Sequence, residues 1–524
     1  MYSLARSRGI GLSHWITTGN EVDISIAECI DVLVDRVEVN TLVIYAEGIN
    51  DPRGLQRSLI KARAAHKPVI FLKVGRTEAG AEAAESHTAS LAVSDSVCDA
   101  FFKQHGVFRA NTTEDMIDMA YACQMGLFPR GRNLGIITAS GGVGVQMADC
   151  AIKHGLEIPI LPNEVQDKVR KILPYAAVRN PVDVTAMAID NPAYYLTPVF
   201  DAVLSSEDIN SVGIFFTPGQ GTHEFTDLIL KTLERMRKCQ SPKVISINII
   251  LPDDVRARYE DLGHTVFDTP DKAVASLAIL ANFRESFERG EGARPPRLPL
   301  DIQPIPTYAI NEVQSKNILR SAGISVVREK LVTNAVAAVD AAIDIGLPVV
   351  MKISSADIQH KTEIGGVLIG VETTADVHEG FGALMLRAEG NMPQAKLDGV
   401  IVSEMISDGV ETVIGSSIDP TFGPVVMFGL GGIFVEVIQD ITFRIAPFGI
   451  DEAESMIREI QSFEVLMGAR GGVAVDLVSL ASTLSQVSVF ASENADDMLS
   501  LDINPFMALP NGGVALDALI VAKD

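Results

Sequence analysis

The sequence is short of positive charge, of tryptophan and of cysteine: 43 basic side chains face 67 acidic ones, with one tryptophan and five cysteines in 524 residues. Each shortage excludes something. Cys29, Cys98, Cys123, Cys150 and Cys239 are odd in number, widely spaced and contain no CxxC pair, which excludes a disulfide scaffold and reads as reduced, mostly buried thiols of a cytoplasmic chain. The formal net charge of −24 makes the average surface repel phosphate backbones and anionic lipid, so neither nucleic acid nor a membrane surface is an expected partner. A run of about 18 apolar residues, the length a bilayer span needs, is missing. The nearest approach, residues 424–435, is short, broken by glycine and stopped by Glu436, and reads as a buried strand, turn and helix. The opening MYSLARSRGIGLSHW has basic residues without an apolar core or a small-residue cleavage site, so it does not read as a leader.

What is present is ordinary globular composition, 47% apolar and 21% charged, which excludes disordered and collagen-like chains. At roughly 100–200 residues per domain the length predicts about three to four domains. Continuous apolar runs at residues 41–46, 68–74, 134–138, 212–217 and 243–250, each followed by an amphipathic segment, predict parallel strands covered on both faces. Residues 51–66 carry a helical pattern with Pro52 near its start and basic residues at its end. The pattern breaks near Gly131 and again in RGEGARPPRLPLDIQPIPT, a Pro-, Gly- and charge-rich stretch that reads as a linker. The expected organisation is α/β: doubly wound domains over 1–130 and 131–290, a linker over 291–305, and an α+β domain over 306–524. In that last domain helices are expected at 311–322 and 335–345, and strands at 348–353 and 399–403.

Several residues are candidates for chemistry. His87 lies among small side chains in KVGRTEAGAEAAESHTASLA, which leaves its imidazole accessible, although a lone histidine is ordinarily a surface or satisfied core residue. Glu47 ends a predicted strand, so a parallel sheet brings it to the carboxyl edge, where ligands bind. A carboxylate there accepts one ring N–H and leaves the other nitrogen nucleophilic; the competing reading is an ordinary strand-end acid. Ser140, Gly141, Gly142 and Gly144 form a strand-to-helix turn whose amides and helix N-terminus suit an anion, or merely allow a tight turn. In LDINPF and VALDAL, Asp502, Asn504 and Asp517 offer hard oxygen ligands of the kind Mg²⁺ takes together with nucleotide phosphates, or solvated turn acids. Lys352, inside the apolar strand VVMKIS, needs a fixed anion. Gly429, Gly431 and Gly432 suit a flap over phosphates, and His360 sits beside glycines in SADIQHKTEIGG.

Six ordered motifs, GRTEAGAEAAESHTASLA, ASGGVG, NPVDVTA, KISSADIQHKTEIGGV, EMISDGVETVIGSSIDPTFGPVVMFGLGGIFVE and DINPF, together resemble the NDP-forming acyl-CoA synthetase superfamily, which includes ADP-forming acetate–CoA ligase and succinyl-CoA synthetase. The resemblance covers essentially the whole chain. It implies two flavodoxin-like, succinyl-CoA synthetase-like domains followed by an ATP-grasp domain. It also implies a phosphohistidine relay: ATP phosphorylates a histidine, the phosphoryl group passes to a small carboxylic acid, and CoA displaces phosphate. By resemblance His87 and His360 serve the relay, Glu47 steadies the phosphohistidine and Ser140 to Gly144 cradle its phosphate. Lys352 and Lys316 hold nucleotide phosphate, Glu404 and Met405 lie at the adenine hinge, Gly429 to Gly432 cover the phosphates, and Asn504, Asp517 and Asp502 hold Mg²⁺. ATP or ADP, Mg²⁺ and CoA are the implied cofactors and substrates, and an oligomer is expected.

The single-chain members of this family open with a Rossmann-like CoA-binding domain, whereas this sequence opens within the following helix at Met1-Tyr2-Ser3-Leu4. Three readings stay open: a separate CoA-binding subunit supplies that domain as a partner, the start is misplaced, or the polypeptide is a fragment with partial activity. The alternative function is a non-catalytic or partial nucleotide-binding fragment. A carboxylate–amine ligase of ATP-grasp type leaves His87 and both doubly wound regions unexplained.

Overall fold

Short β-branched runs that can be buried on both faces become two parallel sheets in the first half of the chain. The computed structural model describes every residue except 78, 80–93, 186–190, 218–221, 238–242, 291, 359–360, 433–437 and 524. β1 (Leu42–Ala46), β2 (Val69–Lys73) and β3 (Phe108–Arg109) pair in that order, all parallel. β4 (Leu134–Thr138), β5 (Val182–Asp183), β6 (Ser211–Phe215), β7 (Val244–Asn248) and β8 (Thr265–Phe267) form a second parallel sheet in the order β5-β4-β6-β7-β8. β1, β2, β4, β6 and β7 overlap the predicted runs, because a buried strand advertises itself as an unbroken apolar stretch, although Val43 and Tyr45 of β1 are exposed. β3, β5 and β8, two or three residues long, are too short to do so and fall outside the predicted runs. Helix Pro52–Ala64 starts where expected: Asp51 accepts a hydrogen bond from the amide of Gly54 at 2.8 Å, Pro52 takes the first position, and Lys61 and Arg63 fill the last turn. The two sheets share a core in which Ile70 and Leu72 of β2 and Leu134 and Ile136 of β4 join Leu277 of helix Pro270–Glu288.

The second half is antiparallel, as the α+β reading expects. β9 (Glu329–Val332), β10 (Val349–Ser354), β11 (Val367–Val371) and β12 (Gly399–Glu404) make a sheet of order β11-β10-β12-β9. Its core takes in helices Ala335–Ile345 and Thr374–Asn391. β13 (Val410–Asp419), β14 (Gly423–Leu430), β15 (Ile441–Ile445), β16 (Met498–Ala508) and β17 (Gly513–Ala515) follow in the order β15-β14-β13-β16-β17, and β18 (Leu519–Ala522) also pairs with β16. Helix Leu477–Glu493 buries its apolar face in this sheet's core.

The chain divides into two compact units, Met1–Ser90 with His105–Gly290 and Leu91–Gln104 with Glu291–Asp524. Helix Asp95–Gln104 thus packs apart from its sequence neighbours. The Gln104 amide donates to the carbonyl of Ile445 at 3.1 Å and its oxygen accepts from the Ile445 N–H at 3.0 Å, Phe101 stacks on Phe422 at 4.6 Å, and Lys103 pairs with Glu459 at 2.9 Å. No helix or strand is assigned from 289 to 311 among the described residues. That stretch is nonetheless tied down: the Ala293 amide donates to Asp451 at 2.8 Å, and the Gln303 amide to the Ser321 hydroxyl at 2.9 Å. A Cβ at Gly449 would stand 1.9 Å from the Ala293 carbonyl oxygen, so only glycine admits this approach. Among the described residues no helix is long and apolar enough to cross a membrane.

Candidate active site

The second unit gathers three lysines around a buried acid. Helix Glu312–Ser321 begins at Asn311, which caps it in a reciprocal capping box with Gln314. That start places Glu312 in the first turn, four residues before Lys316 and on the same face. The Lys316 ammonium, fully buried, donates to Glu312 at 2.6 Å, to the Leu516 carbonyl at 3.2 Å and to Glu329 on β9. Lys352 projects from β10 between the neighbouring strands β11 and β12. Its ammonium donates to Glu312 at 3.2 Å, to the Leu516 carbonyl at 3.0 Å and to Asp517 at 3.1 Å. Lys361 closes the cluster, 2.7 Å from the second Glu312 oxygen and 3.5 Å from Asp517. The Ile520 amide donates to the Ser315 hydroxyl at 3.1 Å, which fixes β18, and with it Asp517, against the helix.

The electrostatics follow from that packing. Burial alone would raise the Glu312 carboxyl, but Lys352, Lys316 and Lys361 together hold it well below the ordinary carboxylate range. Burial would likewise lower the Lys352 ammonium, and the charges of Glu312 and Asp517 reverse this and raise it. Glu329 is raised because its desolvation outweighs the attraction of Lys316. The expectation that Lys352 needs a fixed anion is met by these carboxylates within the protein. Lys316 and Lys352 come together on Glu312, which sequence reasoning missed along with Glu329 and Lys361. An acid in the first turn of a helix reads as a partner of the helix dipole, and only its i,i+4 relation to Lys316 hinted at more.

Asp502 and Asn504 lie on β16, and Asp517 lies between β17 and β18, the strands that pair back on it. The Asn504 amide N–H donates to the Asp517 carbonyl at 3.3 Å. The Asp502 carboxyl is raised by burial and by the negative charge of Asp517. Two carboxyls and an amide oxygen, one carboxyl made costly to ionise by the other, are a donor set that fits Mg²⁺, which completes its shell with phosphates and water. Among the described residues no group of three or more His, Cys, Asp or Glu side chains is placed to hold a metal by itself. Glu404 ends β12, where Arg328 grips its carboxylate at 2.9 and 3.0 Å and holds it below the usual range; Met405 follows directly. Gly429 packs so that a Cβ would meet the Asp440 carbonyl oxygen at 2.8 Å, Gly431 faces Glu411, and Gly432 takes a left-handed φ of +62° with open space around it.

In the first unit the turn after β4 is built from small residues for steric reasons. A Cβ on Gly144 would come within 2.8 Å of the Thr138 methyl and 3.3 Å of Pro181, and one on Gly141 within 2.9 Å of Asp183, whereas Gly142 has open space. Ser140 precedes helix Gly141–Lys153 without capping it, and Gly141 and Gly142 are exposed, so the first amides of the helix remain open to an anion. Glu47 follows β1 and is half-buried. His87 and His360 lie outside the described residues.

Comparison with known proteins bears on this arrangement. Family models match a succinyl-CoA ligase like flavodoxin domain over residues 1–123, a Ligase-CoA domain over 134–268 and an ATP-grasp domain over 306–522. The chain is 30% identical over 521 residues to 4-hydroxybutyrate–CoA ligase (ADP-forming) of Nitrosopumilus maritimus, covering 97% of this chain and 74% of that one. In Pyrococcus furiosus, acetate–CoA ligase (ADP-forming) I is two chains. Its β subunit is 41% identical over 210 residues (40% of this chain, 90% of the subunit), and its α subunit 32% identical over 273 (52% and 58%). The solved dinucleotide forming acetyl-coenzyme A synthetase 1 of Ca. Korarchaeum cryptofilum, in complex with phosphate and ADP, shares the fold at a TM-score of 0.50 and 24% identity, over 56% of this chain and 64% of that one.

Proposed function

The chain belongs to the NDP-forming acyl-CoA synthetase superfamily, among its ADP-forming acid–CoA ligases, and from that premise we propose that it joins a small carboxylic acid to CoA by way of phosphohistidine. The members of this group are acid–thiol ligases that use ATP, Mg²⁺ and CoA. The observation that carries the reading is the buried cluster of Lys316, Lys352 and Lys361 on Glu312 and Asp517. Three preorganised ammonium groups in a water-poor site are what phosphoryl transfer asks of a protein, since that chemistry depends on positioning and charge neutralisation more than on covalent help.

In the proposed sequence the γ-phosphoryl of ATP moves to a ring nitrogen of His360. The bond from phosphorus to the β,γ-bridging oxygen breaks, a P–N bond forms and ADP leaves. The group passes to His87 and then to a carboxylate oxygen of the acid, giving an acyl phosphate, and the CoA thiolate attacks the acyl carbon and expels phosphate. Histidine suits this traffic because its ordinary pKa of about 6.5 leaves it nucleophilic at neutral pH, and its phosphoramidate gives the group up again. Lys352, Lys361 and Lys316 orient nucleotide phosphate, and Asp502, Asn504 and Asp517 hold Mg²⁺, which when bound neutralises phosphate charge. Glu404 and Met405 border the adenine, with Gly429, Gly431 and Gly432 over the phosphates. Glu47 steadies phosphorylated His87, and the open helix end at Ser140, Gly141, Gly142 and Gly144 receives its phosphate. A separate CoA-binding subunit is the proposed partner, in keeping with relatives whose domains are divided between α and β chains.

Incubation with γ-labelled ATP and Mg²⁺ tests the reading. Acid-labile, base-stable label on the protein is expected, lost in His360→Ala, and retained but no longer transferable to an acid in His87→Ala. Label that survives removal of both histidines overturns the relay.

A further inference from the structure

A lysine ammonium has three N–H groups, and those of Lys352 have three partners, so an incoming phosphate oxygen has to take the place of one of them. The partners are Glu312 at 3.2 Å, the Leu516 carbonyl at 3.0 Å and Asp517 at 3.1 Å. They are not equally replaceable. Glu312, its side chain 2% exposed, is shared with Lys316 at 2.6 Å and Lys361 at 2.7 Å, so its departure would strand buried ammonium groups. The Leu516 carbonyl belongs to the main chain and accepts from Lys316 as well. Asp517, its side chain 27% exposed, meets both Lys352 and Lys361 through a single oxygen, Oδ2, the second at 3.5 Å. Asp517 is therefore the partner that can leave, and its oxygen holds the place from which one phosphate oxygen can bridge two ammonium groups.

What leaving costs depends on what else is bound. The backbone on either side of Asp517 is fixed, because β17 and β18 both pair with β16 and the Ile520 amide is tied to Ser315. The carboxylate can turn on its side-chain bonds but cannot travel with its main chain. Asp502 pairs in register with Leu519, two residues beyond Asp517, and its carboxyl already feels the negative charge of Asp517. Released from the lysines with no cation present, Asp517 gives up its pairing with two ammonium groups and keeps the repulsion of Asp502. With a divalent cation held by Asp502, Asn504 and Asp517, the same release exchanges one attraction for another.

We propose that Asp517 is a specificity-determining residue: paired with Lys352 and Lys361 it competes with phosphate, so the site selects nucleotide that arrives with a divalent cation over metal-free nucleotide. The inference rests on the nucleotide reading of this cluster and deepens it. Calorimetric binding of ADP to the full chain, in EDTA and in Mg²⁺, tests it. Metal-free ADP is expected to bind Asp517→Asn about tenfold more tightly than the parent, because a charged competitor for a largely buried pair of ammonium groups is gone. Asp517→Ser, which withdraws the side chain from both lysines, is expected to show the same gain. Asp502→Asn deletes a carboxylate of the same metal set that is paired with neither lysine among the described residues. It is expected to change metal-free affinity by less than about twofold. All three variants are expected to lose most of the tightening that Mg²⁺ gives the parent. Metal-free affinity unchanged in both Asp517 variants, or equal tightening in Asp502→Asn, overturns the proposal and leaves the nucleotide reading standing. Absence of ADP binding to the parent in both buffers overturns that reading and the proposal with it.

Discussion

Lys352 and Asp517, 165 positions apart in the chain, meet at 3.1 Å, and the same ammonium lies 3.2 Å from Glu312. The lysine is held by carboxylates of the protein itself, so under the proposed function a nucleotide phosphate would meet a preorganised ammonium. Replacement by methionine keeps the apolar stem and deletes the charge. Lys352→Met is expected to slow ATP-dependent labelling by about 10²–10³-fold, the usual cost of one preorganised group facing transition-state charge. Rapid-quench labelling measures it, and thermal unfolding within a few degrees of the parent separates lost chemistry from lost fold.

Glu312 offsets three ammonium groups at once. Glu312→Gln leaves Lys316, Lys352 and Lys361 with Glu329 and Asp517 as their carboxylate partners among the described residues, and breaking a buried pair of this kind costs about 3–5 kcal/mol. The pH dependence has a definite sign. Glu312 is depressed in the folded state, so its contribution is present above the unfolded carboxylate pKa of about 4.3 and is lost as pH falls toward the folded value. Glu329 is raised, so its stability contribution is fullest below that same range and is lost as pH rises through its folded value. Denaturant titrations between pH 7 and pH 3 should show a shallower acid arm in Glu312→Gln and a lower plateau at neutral pH.

Gln104 makes two buried hydrogen bonds to the main chain of Ile445. Gln104→Leu fills the space and leaves both main-chain groups of Ile445 unpaired, at about 1–3 kcal/mol each before relaxation. Chemical denaturation should register at least that loss.

Neighbouring glycines should respond in opposite directions. Gly142→Ala places its methyl in open space near a helix start and is expected to stabilise by about 0.5–1 kcal/mol. Gly144→Ala drives its methyl to 2.8 Å from Thr138, whose hydroxyl is held by the Ser140 carbonyl at 2.7 Å, and is expected to destabilise by about 1 kcal/mol net of the helix gain. Paired melts of the two variants check the ordering.

What the sequence made legible follows from what burial writes into it. β4 and helix Ala335–Ile345 coincide with their predicted spans, because a short β-branched apolar run and a longer alanine-rich period favour strand and helix respectively. Asp502, Asn504 and Asp517 were readable as neighbours, since the strands around Asp517 return on β16. The counter-ions of the lysines were not. Glu312 looks like any first-turn acid with an i,i+4 lysine, and Glu329 like a polar residue near a strand end; only tertiary packing sets Glu329 beside Lys316, and Lys352 and Lys361 beside Glu312. The placement of helix Asp95–Gln104 was equally hidden, because Phe101 and Phe102 declare an apolar face without saying which core receives it.

That helix also decides how the molecule can be taken apart. Cutting the backbone once, anywhere near residue 290, yields a carboxyl-terminal piece in which Phe422 has lost its stacking partner and Ile445 both of its side-chain ties. A fragment meant to report on nucleotide binding by itself therefore needs residues 94–104 restored, as a grafted segment or an added peptide, before its melting point or its affinity describes the intact enzyme.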